Sequence, residues 1–96
     1  MSELKIKIIS FSDNSYPGWV KCGFSDIHGR MHYFEEKAPV VSVNDLDENS
    51  EYPQNGYLEC KIINANSDTC KIDISYLGQQ DENGETIFEI FPYQIV

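Results

Sequence analysis

Bases are what this chain has least of. Seven lysines and arginines face sixteen aspartates and glutamates, for a net charge of −9. Residues 1–43 hold five acids and five bases, whereas residues 44–96 hold eleven acids against Lys61 and Lys71 alone. The whole excess therefore lies after Val43, in a field that repels nucleic acid and anionic membrane and attracts a basic partner. Proline and glycine are also scarce, four and six residues, which excludes low complexity, and the 41% apolar content excludes a disordered chain. No transmembrane run is present, and Met1 to Ser10 lacks the apolar stretch and small-residue cleavage site of a signal peptide. The three cysteines are odd in number and show no CxxC spacing, so neither a disulfide framework nor a zinc pair is indicated. The expected compartment is the cytoplasm.

Helical periodicity is missing too: no window of eleven or more residues carries it. Alternation is everywhere instead. Leu4, Ile6 and Ile8 share one side of ELKIKIISF, and Val20, Cys22 and Phe24 share one side of WVKCGFS. The turn DIHG, with Gly29, leads to His32 and Phe34 on one face of RMHYFEEK, as in a hairpin. PVVSV reads as a short edge strand begun by Pro39. Leu58, Cys60 and Ile62 then fall in phase, as do Cys70, Ile72, Ile74 and Tyr76, and TIFEIFPYQIV closes the chain as a last strand. A single helical turn near residues 43–48, capped by Asn44, is the most helix allowed. The expectation is one all-β domain over residues 1–96, a small antiparallel barrel or sandwich of about six to eight short strands. Cys22, Cys60 and Cys70 lie in phase with inward apolar residues and are expected as reduced core side chains.

The long segment NDLDENSEYPQNG, Asn44 to Gly56, carries four acids and no base. Asp45, Asp47, Asn49 and Glu51 alternate as in the first half of an EF-hand loop. Ser50 stands where that loop needs glycine and Gly56 where it needs glutamate, so no calcium site is expected. Catalysis has little to draw on. His28 reads as a solvated turn residue and His32 as a core histidine with a backbone or carboxylate partner. A Cys22–His32 dyad is allowed by the hairpin but not demanded by the spacing. There is no glycine-rich phosphate loop, and no cofactor, metal or enzymatic activity is expected. Tyr16, Trp19, Tyr33, Tyr52, Tyr57 and Tyr93 offer stacking surfaces for nucleic acid, but the −9 background opposes every phosphate contact. Recognition of a protein remains. Tyr52 beside the acidic loop supplies a low-entropy anchor, and the carboxylates supply partners for lysine and arginine.

The segment from Trp19 to Cys60 is similar to a widespread family of short bacterial all-β proteins. Its pattern is a Trp-Val strand, then Asp-x-x-Gly-Arg-x-His-x-Phe, Lys-x-Pro-Val, and Leu-Asp-x-x-Ser-x-Tyr-Pro-x-x-Gly before a cysteine-containing strand. Here these are Trp19-Val20, Asp26 to Phe34, Lys37 to Val40 and Leu46 to Cys60. The resemblance extends to immunity proteins of bacterial toxin systems, among them contact-dependent growth inhibition. It implies a basic toxin domain as partner, a nuclease, held in a one-to-one heterocomplex with its active site occluded. The binding residues expected on this reading are Asp45, Asp47, Glu48, Glu51, Asp81, Glu82 and Glu85, with Tyr52 packed at the centre. His32, Phe34, Lys37, Pro39, Ser50, Tyr52 and Pro53 match the shared pattern and suit a structural role. Departures from it, Glu48, Glu51, Asp81, Glu82, Glu85 and Glu89, suit partner choice. The rival expectation is a small-molecule or accessory β-barrel module with His32 or tyrosines lining an interior pocket.

Overall fold

The computed structural model describes all 96 residues. Six antiparallel strands form one curled half-barrel sheet in the order β3-β2-β1-β4-β5-β6. They are β1 (Ser2–Asp13), β2 (Trp19–Ser25), β3 (Met31–Lys37), β4 (Gln54–Ala65), β5 (Cys70–Asp73) and β6 (Ile87–Ile90). The long central β1 pairs with β4 from Ser2↔Cys60 to Ile8↔Gln54 and with β2 from Lys7↔Gly23 to Asp13↔Trp19. Irregularities between Ile8 and Ser10 and between Phe11 and Asp13 let β1 bend as it runs. The alternation does the rest: Leu4, Ile6, Ile8, Val20, Cys22, Phe24, Phe34, Leu58 and Cys60 all enter one buried cluster. No helix is long and apolar enough to cross a membrane.

Five local expectations are corrected. Ala38–Val41 is one turn of α-helix, α1, where an edge strand was expected. Pro39 in its first turn is pre-set for helical φ, and the i, i+3 pair Ala38 and Val41 buries against the core. Residues 43–48 hold no helix, because that segment forms hydrogen-bonded turns of its own. Tyr76 is exposed, since Asp73 Oδ1 accepts the Ser75 N–H at 2.8 Å and turns the chain into a 3₁₀ turn at Ser75–Leu77. Ile62 is exposed as well, because β4 has by then passed the end of β1 and pairs only with β5. The last strand stops at Ile90. A second 3₁₀ turn, Pro92–Gln94, follows, and Gln94 Oε1 accepts the Phe91 N–H at 2.8 Å.

The two outer strands are joined by loops. Tyr33 O on β3 accepts the Glu82 N–H at 3.0 Å, and Glu35 O accepts from Gln79 Nε2 at 2.8 Å. Glu89 O on β6 accepts the Ile27 N–H at 2.8 Å. The chain end crosses beneath, bridging Leu4↔Ile95 and giving the Val96 N–H to Glu3 O at 3.0 Å. These contacts occupy strand edges that would otherwise present unpaired backbone groups.

Candidate functional site: a histidine clamp and two acidic groups

Two turns of the same construction meet at His32. In Asp26-Ile27-His28-Gly29-Arg30, Asp26 Oδ1 accepts the N–H groups of His28 (2.8 Å) and Arg30 (3.0 Å). In Asp81-Glu82-Asn83-Gly84-Glu85, Asp81 Oδ1 accepts those of Asn83 (2.9 Å) and Glu85 (2.8 Å). Gly29 and Gly84 sit at φ +79° and +80°, the left-handed region that each turn requires. Each aspartate then spends its second oxygen on the same imidazole: His32 Nε2 lies 2.7 Å from Asp26 and Nδ1 2.9 Å from Asp81. The ring packs against Phe88 and Phe24, with centroids 4.5 and 5.4 Å away.

The electrostatics follow from this geometry. Burial disfavours charge on His32, but hydrogen bonds to Asp26 and Asp81 outweigh it and raise its pKa. Burial likewise opposes charge on both aspartates, and is outweighed. For Asp26 the His32 bond leads, followed by the N–H groups of Arg30 and His28; for Asp81 the Glu85 N–H leads, followed by His32 and the Asn83 N–H. Both carboxyl pKa values are lowered. The unit is an imidazole ring held between two carboxylates that favour its protonated form, and it fastens the 81–85 loop to the β2–β3 turn.

Within this arrangement His32 makes both of its hydrogen bonds to aspartates of its own chain. Both nitrogens are occupied and both ring neighbours are aromatic, so it faces no interior pocket. It forms no dyad with Cys22, which pairs with Phe34 across the ladder. His32, Asp81 and Glu85 have ligand atoms within 4.8 Å of one another and are the one such trio able to share a cation. His32 Nδ1 is already engaged with Asp81, and Glu85 lies 3.6 Å from Arg30.

The expected binding residues fall into two groups. Asp45, Asp47, Glu48 and Glu51 are exposed on the segment after α1. That segment is internally bonded: Asp47 Oδ1 accepts the Asn49 N–H at 2.8 Å, and Ser50 Oγ accepts the Asp47 N–H at 3.0 Å. Tyr52 is half-buried against the core and donates its hydroxyl to Asp47 O at 2.8 Å, so it holds the loop from within. Glu82 and Glu85 are exposed on the other loop, fastened near the start of β3, whereas the acidic segment leaves from its far end after Lys37. Asp81 is 3% exposed and belongs to the clamp, with no oxygen turned outward to a partner. The expectation of His32 as a core histidine with a carboxylate partner is borne out, but the two aspartates that hold it went unread, although the repeated Asp-x-x-Gly at Asp26 and Asp81 was their visible sign.

The fold and these groups define a small antiparallel β half-barrel with acidic loops. No protein-family model, curated protein or solved structure matches the chain.

Proposed function

We propose that this chain is an immunity protein that binds a basic toxin domain, a nuclease, and neutralises it by occluding the active site. One observation carries the reading: Asp45, Asp47, Glu48 and Glu51 are exposed and have no cation of their own. The only ion pairs within 4.0 Å are Arg30–Glu85 and the two contacts of His32. Carboxylates without internal partners, on a segment already ordered by its own hydrogen bonds, meet an incoming lysine or arginine at little entropic cost. A nuclease must be cationic where it holds phosphates, so an acidic inhibitor competes for the same surface. Steering by this field favours capture at about 10⁸ M⁻¹s⁻¹ at low salt. The family resemblance described above supports the same reading.

The test is a pull-down from the source cells, washed at low and then high salt, followed by co-expression of the chain with the captured partner. Protection of the cells, and capture of one basic partner that high salt releases, is the expected result. Toxicity undiminished by the chain, or an acidic partner indifferent to salt, overturns it.

A further inference from the structure

Three apolar side chains near the acidic segment are exposed without a structural reason in the chain. Tyr16 is 97% exposed, Val43 101% and Val40 39%. Singly exposed apolar residues are ordinary, but Val43 lines a cleft, and Tyr16 precedes its Pro17 wall in the chain. This cleft of about 190 Å³ lies between Pro17, next to Tyr16, and the run from Ala38 to Leu46. Its lining is more polar than apolar, with Ser42, Asn44 and Asp45 beside Pro17, Ala38, Pro39, Val43 and Leu46. The walls are tied together by the Ala38 N–H donating to Gly18 O at 2.9 Å. The polar side is set by the Asn44 N–H donating to Ser42 Oγ at 3.0 Å.

We propose that this cleft is a socket for one arginine side chain of the partner protein. The inference deepens the reading above and rests on it for the partner being a basic protein. The volume is below the roughly 300–1,000 Å³ of pockets that enclose small-molecule ligands, so a single long side chain is the fitting occupant. Val43 and Leu46 suit the methylene stem of a long basic residue, and the Asp45 carboxylate, which no base of this chain pairs, suits its charged head. Arginine fits better than lysine, because its guanidinium is more weakly hydrated and bonds a carboxylate in two places. Val43 and Asp45 are therefore the contact residues, and Tyr52, which the sequence suggested, supports the loop from beneath.

The test is titration of the full-length ¹⁵N-labelled chain with acetyl-arginine methylamide, and with its lysine and norleucine counterparts, followed by amide chemical shifts. Saturable shifts at Gly18, Val43, Asn44, Asp45 and Leu46 are expected from arginine, weaker ones from lysine and none from norleucine. Asp45→Asn, an exposed and conservative change, is expected to raise the arginine Kd by about tenfold. Shifts confined to the Glu82 and Glu85 loop, no shifts at all, or the same Kd in Asp45→Asn overturn the socket. The two proposals fail separately. A socket that binds arginine in a chain that protects no cell removes the immunity reading alone. Cells protected equally by the wild type and by Val43→Ser with Asp45→Asn remove the socket alone.

Discussion

His32 Nε2 lies 2.7 Å from Asp26 Oδ2, six residues earlier in the chain. The bond spans a turn that Asp26 itself builds, so one carboxylate shapes the turn with one oxygen and anchors it to β3 with the other. Asp81 repeats the arrangement from a distant loop, and the stability of the curled sheet therefore depends on a charge at its edge.

That charge sets a pH window. His32 has a folded pKa above its ordinary 6.5, so its contribution is full below about 6.5 and is lost as pH rises through the raised value. Asp26 and Asp81 have folded pKa values below the ordinary 3.8, so theirs is full above about 3.8 and is lost as pH falls through the lowered values. Denaturant midpoints measured against pH are expected to peak between these limits. His32→Gln is expected to lower the peak and flatten its alkaline side. An alkaline side as steep as the wild type's would show that another group is responsible.

Neighbouring acids of one loop should behave oppositely. Asp81→Ala strands His32 Nδ1 and the N–H groups of Asn83 and Glu85 in a buried site, at a cost of about 3–5 kcal/mol. Glu82→Gln removes an exposed charge and is expected to change stability by less than about 0.5 kcal/mol. Urea unfolding of the two variants side by side decides the matter.

The cysteines should be inert in the native chain. Burial, with Glu36 nearby, pushes the Cys22 thiol up to about 12, and burial with Cys70 and Glu3 pushes Cys60 up to about 11. Burial raises Cys70 too. Thiolate is the nucleophile, so iodoacetamide near neutral pH is expected to modify none of them before denaturation and all three after it. Mass spectrometry reads the count, and a native adduct on any cysteine would contradict the burial.

Two glycines should differ in kind. A Cβ on Gly56 would stand 2.8 Å from both Ile8 Cδ1 and the backbone oxygen of Val41, so Gly56→Ala is expected to cost about 1–3 kcal/mol by overpacking. Gly29 has open space around it but φ +79°, so Gly29→Ala is expected to cost about 1–2 kcal/mol through the backbone alone. Thermal melts give both losses. Only the Gly56 change is expected to shift resonances of Ile8 and Val41.

Much of the architecture was legible because a half-buried strand writes itself in period two. Leu4, Ile6 and Ile8, then Val20, Cys22 and Phe24, and the three cysteines, all took the faces their phase indicated. Phase failed at Ile62 and Tyr76, because it reports that a strand has two faces and cannot report where the neighbouring strand ends or where an aspartate turns the chain. Pro39 misled for a related reason: proline suits both an edge strand and a first helical turn, and the burial of Ala38 and Val41 chose the helix.

Composition and pattern alone determined an antiparallel β domain, a buried set of thiols and an acid excess after Val43, since each follows from residue identity and local spacing. Tertiary structure alone decided which acids are free. Asp81 and Asp47 look alike in the sequence, yet one is sealed against His32 while the other lies on an open loop. The reason is that a carboxylate's role depends on which donors reach it. Those of Asp81 come partly from β3, 49 residues away, and arrive only when the sheet has curled.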